Sequence, residues 1–337
     1  MSDSLRRIGA LFHARNLEFV RDRAALAWNL LVPLLLVLGF SLIFSGNQRP
    51  LLQLGVVGPL PPAYQALETI PQLRLVEYES LASAQRKVRH HQLDLLLNPA
   101  GGNYWVNPDS PGGGLAEYLL KGHSLTPLVR DTLPGQAIRY GDWLLPGVIG
   151  MNLMFSGLFG VGYVIVRYRK NGVLKRLRAT PLSAAEFLCA QLLSRLAITL
   201  VVSLLVFLVA HWLLGAPLLG SGWLLLLIAL LGGAAMASLG LLVAARLQNE
   251  ELASGLLNLI SLPMMFLSGV WFSLEGAPAW LQGVADRLPL TQIIAAARAV
   301  MLEGAGWQEV ASPLAQIALF TLVCVTLGAA LFRWNAT

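Results

Sequence analysis

Residues 167–186 read RYRKNGVLKRLRATPLSAAE and lie between two long apolar stretches of the chain. The segment contains six Lys or Arg residues and a single acid. Basic residues close to the ends of membrane spans are retained on the cytoplasmic side. The segment therefore predicts a cytoplasmic loop between two transmembrane helices, and it sets the orientation for the rest of the chain.

The composition of the whole chain also indicates a membrane protein. Of 337 residues, 56% are hydrophobic and 12% are charged, with a mean hydropathy of +0.64. A soluble domain of this length could not bury so much apolar surface. The net charge of +6 does not predict a nucleic-acid partner, because the basic residues lie in short segments beside apolar runs. Cys189 and Cys324 both lie inside apolar runs, which favours neither a disulfide framework nor a metal site.

Apolar windows long enough to cross a membrane, about 20 residues each, occur along most of the chain. They predict six transmembrane helices, at residues 26–45, 143–166, 187–213, 223–245, 252–272 and 312–332. Five arginines precede the first of these and six basic residues follow the second. Both termini are therefore predicted to be cytoplasmic, in a multi-pass protein of the cytoplasmic (inner) membrane.

Residues 1–25 are predicted to form an amphipathic helix in the cytoplasmic membrane interface, in contact with lipid. Leu5, Ile8, Phe12 and Phe19 recur at helical spacing. Most of the remaining arc is basic, with Arg6, Arg7, Arg15, Arg21 and Arg23. A solvated basic tail is the alternative interpretation.

Residues 46–142, between the first two predicted spans, have the composition of a soluble domain. LQLGVVG, LRLVEYE, LDLLLN and YWVN read as strands, whereas AYQALETI, SLASAQRKVRHHQ and residues 115–120 read as helices. Ser80 is the predicted N-cap of the second helix. His90 and His91 are adjacent on that helix and lack acidic or cysteine companions, so a solvated face is favoured over a metal site. The sequence predicts a small α/β domain outside the cytoplasm, followed by a five-helix transmembrane region over residues 143–337.

Motifs for enzyme chemistry are missing from the sequence. It has no G-x-x-x-x-G-K-[ST] phosphate loop, no H-E-x-x-H and no G-x-S-x-G. We therefore assign no catalytic and no metal-binding residues to the chain. No Asp or Glu lies centrally in a predicted span, which makes an ion-coupled carrier the least favoured function.

Three polar residues and one aromatic residue inside the predicted spans mark a candidate substrate cavity. Asn152, Phe155, Asn258 and Ser261 are its candidate lining residues, although hydrogen bonding between helices is an equally good interpretation. Arg195 lies about two turns into the third span. It either holds the structure together by reaching the membrane surface, or contacts substrate or lipid head groups.

Three stretches of the chain resemble the membrane subunit of ABC-2 type exporters. The first is RNLEFVRDRAALAWNLLVPLLLVLGFSLIF, which resembles an interfacial helix that enters a span with a central proline, here Pro33. The second is NGVLKRLRATPLSAAEFLCAQLL, which resembles the coupling segment of that family. The third is LPMMFLSGVWFSLEGAPAWLQGVADRLPLTQIIAAARAVMLEG, in which LSG, LPLTQ and Arg298 match. The size of the domain after the first span further resembles a subgroup with a large extracytoplasmic domain.

This resemblance implies specific roles within the coupling segment, residues 167–186. The implied contacts to an ATPase are Gly172, Val173, Leu174, Leu177, Thr180, Pro181 and Leu182. Among them, the side chains of Val173, Leu174 and Leu177 are expected to insert into a groove of the ATPase. The chain departs from the family pattern at residues 168–170, which read YRK where acids are usual, and at Ser273, where a proline is common.

The same resemblance implies an outer gate. Residues 274–302 contain apolar stretches too short to span the membrane and are broken by prolines, so we expect two short helices that return into the outer leaflet. The implied gate residues are Leu267, Ser268, Gly269 and Arg298. Arg298 is expected to pair with Glu303 or Glu275.

The function that the resemblance implies is that of the permease subunit of an ATP-driven exporter. It would move an amphiphilic or hydrophobic substrate, such as a lipid or a drug, outward across the membrane. ATP and Mg²⁺ would be bound by a separate nucleotide-binding ATPase subunit. A second permease copy completes the transporter, as a homodimer by default or as a heterodimer, and a periplasmic adaptor is a further expected partner. The alternative is a membrane scaffold or sensor whose outer domain binds a partner without transporting cargo.

Overall fold

The computed structural model describes residues 2–43, 52–59, 73–78, 80–90, 92–110, 112–123, 128–133, 138–274 and 277–332, together with residues 62, 64, 67 and 70. The chain divides into two compact units. One unit, called here the helical unit, comprises Met1–Leu42 and Gly141–Thr337, and the other, the α/β unit, comprises Ile43–Tyr140.

Helices dominate the described residues. They are α1 Ser2–Arg21, α2 Arg23–Ile43, α3 Leu81–Arg89, α4 Gly113–His123, α5 Tyr140–Gly157, α6 Val164–Lys170, α7 Val173–Arg178, α8 Ala184–Leu214, α9 Gly222–Ala244, α10 Glu250–Leu267, α11 Ala279–Ala285, α12 Pro289–Glu303 and α13 Trp307–Leu331. A π-helical segment, Leu158–Tyr163, joins α5 to α6 without a break. We call it the π segment.

Five helical stretches of the described chain are long and apolar enough to cross a membrane. They are Tyr140–Lys170, Ala184–Leu214, Gly222–Ala244, Glu250–Leu267 and Trp307–Leu331. The pair α1 and α2, bent by 65°, is a sixth if it is counted as one span. The chain is thus a multi-pass membrane protein with five or six spans, in agreement with the predicted number. Residues 44 and 45 of the first predicted span lie outside the described residues.

Capping residues explain where several spans begin and end. The Ser183 hydroxyl accepts a hydrogen bond from the Glu186 N–H, while the Glu186 carboxylate accepts one from the Ser183 N–H, which forms a capping box at the start of α8. The fifth span was predicted to reach residue 272 but ends at Leu267. Gly269 there has a φ of 68°, in the left-handed region that commonly stops helices.

The core of the helical unit is built around α9. This helix packs against α8, α12, α13 and the π segment. A Cβ atom placed on Gly157 would lie 2.6 Å from the backbone of Met236 and Ala237, so the absence of a side chain is what lets the two helices approach here. The short helix α12 contributes Ile293, Ile294 and Val300 to the same core.

The α/β unit contains a five-stranded sheet in its described residues, with strands β1 Leu52–Val57, β2 Leu73–Tyr78, β3 Leu95–Asn98, β4 Asn103–Val106 and β5 Val129–Thr132. The strand order is β2-β1-β3-β4-β5. Strand β1 is parallel to β2 and β3, β4 is antiparallel to β3, and β5 is parallel to β4. Ala116 and Leu120 of α4 pack on one face of the sheet, and Ala84 and Val88 of α3 on the other.

Four of these strands overlap the stretches predicted as strands, and β5 was missed. Its sequence, VRDT, lacks the alternation of apolar and polar residues that identifies a strand. Helix α3 follows Ser80, as predicted, although the Ser80 side chain makes no capping hydrogen bond. The helix predicted over residues 63–70 lies mostly outside the described residues. The position of the α/β unit outside the cytoplasm stays a prediction.

Candidate functional site

The coupling segment forms a short helix on a tight turn between two spans. Helix α6 ends at Lys170, Gly172 has a φ of 69°, and α7 follows at once. A left-handed conformation is open to glycine at little steric cost, so Gly172 lets the chain reverse within two residues. Residues 179–183 then lead into α8, which begins at Ala184.

Leu174 anchors the coupling segment to the interior of the helical unit. Its side chain is fully buried. The buried residues of the same cluster are Val161, Ile165, Val166, Phe187, Leu188, Ala237, Leu241, Ala244 and Ala253. The expectation that Leu174 inserts into an ATPase groove is therefore wrong, because its side chain is occupied within the chain. Leu177 and Leu182 are half-buried against the same cluster.

The surface of the coupling segment is basic and polar. The exposed residues of the segment are Arg167, Lys170, Asn171, Lys175, Arg176, Arg178, Ala179, Thr180, Pro181, Ser183 and Ala185. Val173 is half-buried. Of the predicted contact residues, Thr180 and Pro181 are thus the ones that the turn presents to a partner.

Arg169, which the sequence marked only as a departure from the family pattern, ties the end of α6 to the end of α9. Its guanidinium donates to the carbonyl oxygens of Ala244 at 2.9 Å and Ala245 at 3.1 Å, and also to that of Leu247. These carbonyls lie at the C-terminus of α9, where backbone acceptors lack partners within the helix. The guanidinium also lies 5.7 Å from the ring centroid of Phe332. Arg169 is therefore a structural clamp beside the coupling segment.

Helix α1 contacts the coupling segment through its arginines. Arg7 donates to the Pro181 carbonyl and lies 3.7 Å from the Glu186 carboxylate. Arg15 donates to the Tyr168 hydroxyl, which in turn donates to Glu18 at 2.6 Å. The prediction that the arginines face away from the apolar side is wrong for Arg7 and Arg15. Both point toward the coupling segment, because the hydroxyl, carbonyl and carboxylate oxygens that they contact lie there.

The apolar face of α1 also differs from the prediction in part. Ile8, Phe12 and Phe19 are half-buried, whereas Leu5 is 65% exposed. Helix α1 therefore makes polar contacts with the coupling segment, and Leu5 is the exposed one of its four predicted apolar residues. Its placement in a membrane interface stays a prediction.

Two of the four predicted cavity residues lie on the accessible surface. Asn258 of α10 is exposed and Phe155 of α5 is half-buried. The expectation for Ser261 is wrong, because it is fully buried where α10 packs and its hydroxyl donates to the Asn258 carbonyl at 3.4 Å. Asn152 is also buried, at 8% exposure.

An open surface cavity of about 290 Å³ lies between the π segment and α10, lined by Phe159, Tyr163, Glu250, Glu251 and Ser254. The rings of Phe155 and Phe159 lie 6.0 Å apart and continue the apolar wall from the cavity along α5. Residues of this cavity were missed because the acids lie in the first turn of α10, where they also read as ordinary helix-stabilising residues.

Arg195 has a structural role. Its Nε donates to the Ser156 carbonyl at 2.7 Å, and its guanidinium lies 5.6 Å from the Phe19 ring centroid of α1. Gln191 on the same helix donates to the Gly160 carbonyl at 3.3 Å. A π-helical turn changes the regular pattern of backbone hydrogen bonds in a helix. Gln191 and Arg195 of α8 donate to carbonyls within the π segment and just before it.

The predicted gate residues Gly269 and Arg298 are in contact. Arg298 donates to the Gly269 carbonyl at 2.7 Å and to the Trp143 carbonyl at 3.1 Å. Its guanidinium also lies 3.6 Å from the Trp143 ring centroid. Ser268 is buried and Leu267 half-buried beside this contact. Glu275, one of the two expected carboxylate partners, lies outside the described residues, and the pairing of Arg298 with Glu303 or Glu275 stays a prediction.

Comparison with known proteins places the chain among membrane transporters. The family model for "ABC-2 type transporter" matches residues 100–302. The chain is 28% identical over 160 residues to the inner membrane transport permease YhhJ of Escherichia coli K12, which is 47% of this chain and 43% of that protein. It is 26% identical over 163 residues to the probable multidrug ABC transporter permease YbhS of the same organism, covering 48% and 43%. The linearmycin resistance permease protein LnrN of Bacillus subtilis is 28% identical over 155 residues, covering 43% and 40%. The chain therefore spans less than half the length of these relatives.

Proposed function

Since the chain belongs to the ABC-2 type transporter family, we propose that it is the membrane-spanning permease subunit of an ATP-driven exporter. A separate ATPase subunit binds ATP and Mg²⁺, because the sequence has no phosphate loop of its own. Two permease copies and two ATPases form the transporter, with a homodimer as the default and a related second permease as the alternative. Both termini and the coupling segment face the cytoplasm, and the α/β unit lies on the opposite side, where it can meet cargo or an adaptor.

The observation that carries this proposal is the geometry of the coupling segment. Its exposed turn, with Thr180 and Pro181 at the tip, is held at its base by the buried side chains of Leu174 and Arg169. Force applied to such a turn is transmitted to the ends of α6, α8 and α9. These helices then move as rigid bodies, because packed helices resist deformation. An ATPase that closes on ATP can thus move three helices through one contact.

The surface cavity between the π segment and α10 supports an amphiphilic or hydrophobic cargo. Its lining combines the aromatic rings of Phe159 and Tyr163 with the polar residues Glu250 and Ser254, and the ring of Phe155 lies 6.0 Å from that of Phe159. Apolar pockets with a few polar groups are typical of small-molecule sites. The names of the relatives YbhS and LnrN refer to multidrug transport and to resistance, and the outward direction proposed here agrees with those names.

The coupling role can be tested by adding one charge to the exposed turn. We expect Ala179→Asp to abolish vanadate-sensitive ATP hydrolysis by the complex that copurifies with the tagged chain, because a carboxylate on the turn disrupts its fit to the ATPase. Leu177→Asp is less informative, since Leu177 is half-buried and its change would also disturb the core. Ser221→Asp is the matched control, because Ser221 is exposed at the N-cap of α9, where aspartate is favourable.

Two results would contradict the proposal. Hydrolysis equal to wild type in Ala179→Asp would show that the turn does not contact an ATPase. Purification of the wild-type chain without any ATPase, or with hydrolysis that does not depend on it, would favour the scaffold or sensor function instead.

A further inference from the structure

The surface cavity between the π segment and α10 joins two kinds of side chain. Phe159 and Tyr163 of the π segment provide aromatic surface, and Glu250, Glu251 and Ser254 of α10 provide polar groups. Its volume of about 290 Å³ is near the lower end for small-molecule sites. The π segment itself points to function, because π-helical turns are rare in proteins and occur frequently at functional sites.

The hydrogen bonds and ion pair of the cavity converge on the Glu250 carboxylate. Its Oε2 accepts a hydrogen bond from the Tyr163 hydroxyl at 3.2 Å and lies 3.8 Å from the Lys170 ammonium. The Lys170 side chain is 60% exposed, against 21% for Glu250. An ion pair that is this long and this exposed stabilises the protein little. Lys170 can therefore leave the carboxylate at low cost.

We propose that this cavity binds the cationic head of an amphiphile, and that Lys170 occupies the place of that cation on Glu250 while the cavity is empty. Aromatic faces attract organic cations, and a carboxylate beside them completes the site. The apolar part of the ligand then extends along the rings of Phe155 and Phe159. The exposed Arg167 offsets part of the negative field at this end, so the preference for a cation arises from the contact with Glu250 rather than from net charge.

Occupancy of the cavity is linked to the coupling segment by chain connectivity. Lys170 is the last residue of α6, next to the clamp Arg169 and two residues before the turn at Gly172. A ligand that displaces Lys170 frees a side chain at the base of the coupling segment, while Arg169 stays bound to α9. This link rests on the proposed function, whereas binding of the cation does not.

The binding step can be measured without an ATPase. The full chain is placed in nanodiscs of phosphatidylcholine, and equilibrium binding of radiolabelled tetraphenylphosphonium is determined. We expect Glu250→Gln to weaken binding about tenfold and Lys170→Gln to strengthen it about threefold, since one change removes the attracting charge and the other removes its competitor. Asp286→Asn is the matched control, because Asp286 is exposed and does not line the cavity; the affinity of this variant should stay within about twofold of wild type. Tetraphenylborate, an anion of the same shape, should bind equally to all variants, by partition into lipid alone.

The proposal predicts opposite changes in binding affinity in Glu250→Gln and Lys170→Gln. Unchanged affinity in Glu250→Gln overturns the cation site, and unchanged or weaker affinity in Lys170→Gln overturns the competing role of Lys170. Lys170 is exposed, so its variant keeps the test decisive even if Glu250→Gln does not fold. If both variants change affinity as expected but the chain recruits no ATPase, the cation site is supported and the permease function is refuted. Failure of the cation site and failure of the permease function are therefore distinguishable.

Discussion

Two arginines clamp the two ends of the same long helical stretch, Tyr140–Lys170, and they do so with the same chemistry. Near its beginning, Arg298 of α12 donates to the carbonyls of Trp143 and Gly269 and lies 3.6 Å from the Trp143 ring centroid. At its end, Arg169 donates to carbonyls at the C-terminus of α9 and lies 5.7 Å from the Phe332 ring centroid. In both places a planar, permanently charged group donates to backbone oxygens, and at Arg169 these are oxygens that the end of a helix leaves unpaired.

The difference between the two clamps lies in what surrounds them. Arg298 is in the middle of α12, a helix whose apolar residues belong to the main core. Arg169 is buried, but it is three residues from Gly172 and so stands where the packed helices give way to an exposed turn. At Arg298, the contact therefore holds packed segments together. At Arg169, it joins the exposed coupling segment to the core. We expect the two sites to respond differently to mutation.

Arg169→Ala should give the larger loss of stability. It removes the donors of three carbonyls at the end of α9, and hydrogen bonds to a charged donor contribute about 1.5–3 kcal/mol each without being additive. We expect the free energy of unfolding to fall by about 3 kcal/mol, measured by reversible unfolding in mixed micelles.

The exposed Arg178 provides the control, since Arg178→Ala should change the stability by less than about 0.5 kcal/mol. Arg169→Lys should recover less than half of the loss, because a compact ammonium cannot span acceptors that a guanidinium bridges. A loss below about 1 kcal/mol in Arg169→Ala would show that the α9 carbonyls find other donors, and the comparison would fail.

Arg298→Ala should cost less, about 2 kcal/mol, because two carbonyls lose a donor instead of three and the site is half-buried. The same unfolding measurement applies. Arg287→Ala is a matched control, since Arg287 is exposed and donates to the Gly283 carbonyl four residues earlier. If Arg298→Ala retained wild-type stability while Arg169→Ala did not, the stabilising effect of the Arg298 contact would be refuted.

The positions of the spans were predictable because apolar windows of sufficient length have few other interpretations. The beginning of α8 was also available: Ser183 and Glu186 form the S-x-x-E pattern of a capping box, yet the span was predicted to start at 187 rather than at Ala184. The sequence therefore contains a signal for the start of α8, which hydropathy alone does not detect.

The two clamps and the burial of Leu174 could not be predicted in the same way. The acceptors of Arg169 are backbone carbonyls about 75 positions along the chain, which leave no side-chain signature. Helix α7 has six residues, fewer than two turns, so periodicity could not decide which of Val173, Leu174 and Leu177 faces the interior. These features depend on how α6, α8 and α9 pack, and packing is set by the whole chain.

The smallest effect is expected for Tyr168→Phe, which tests whether Arg169 is the main anchor of this end of the span. The Tyr168 hydroxyl links Arg15 and Glu18 of α1 to α6. Its removal leaves those two partners paired with each other at 2.6 Å, so no buried charge is stranded. We expect a loss of about 0.5–1 kcal/mol in the free energy of unfolding. A loss as large as that of Arg169→Ala would mean that the contact with α1, rather than the clamp on α9, holds the base of the coupling segment. The double variant separates the two cases: additive losses would indicate independent anchors, whereas a combined loss no greater than that of Arg169→Ala alone would indicate one cooperative contact.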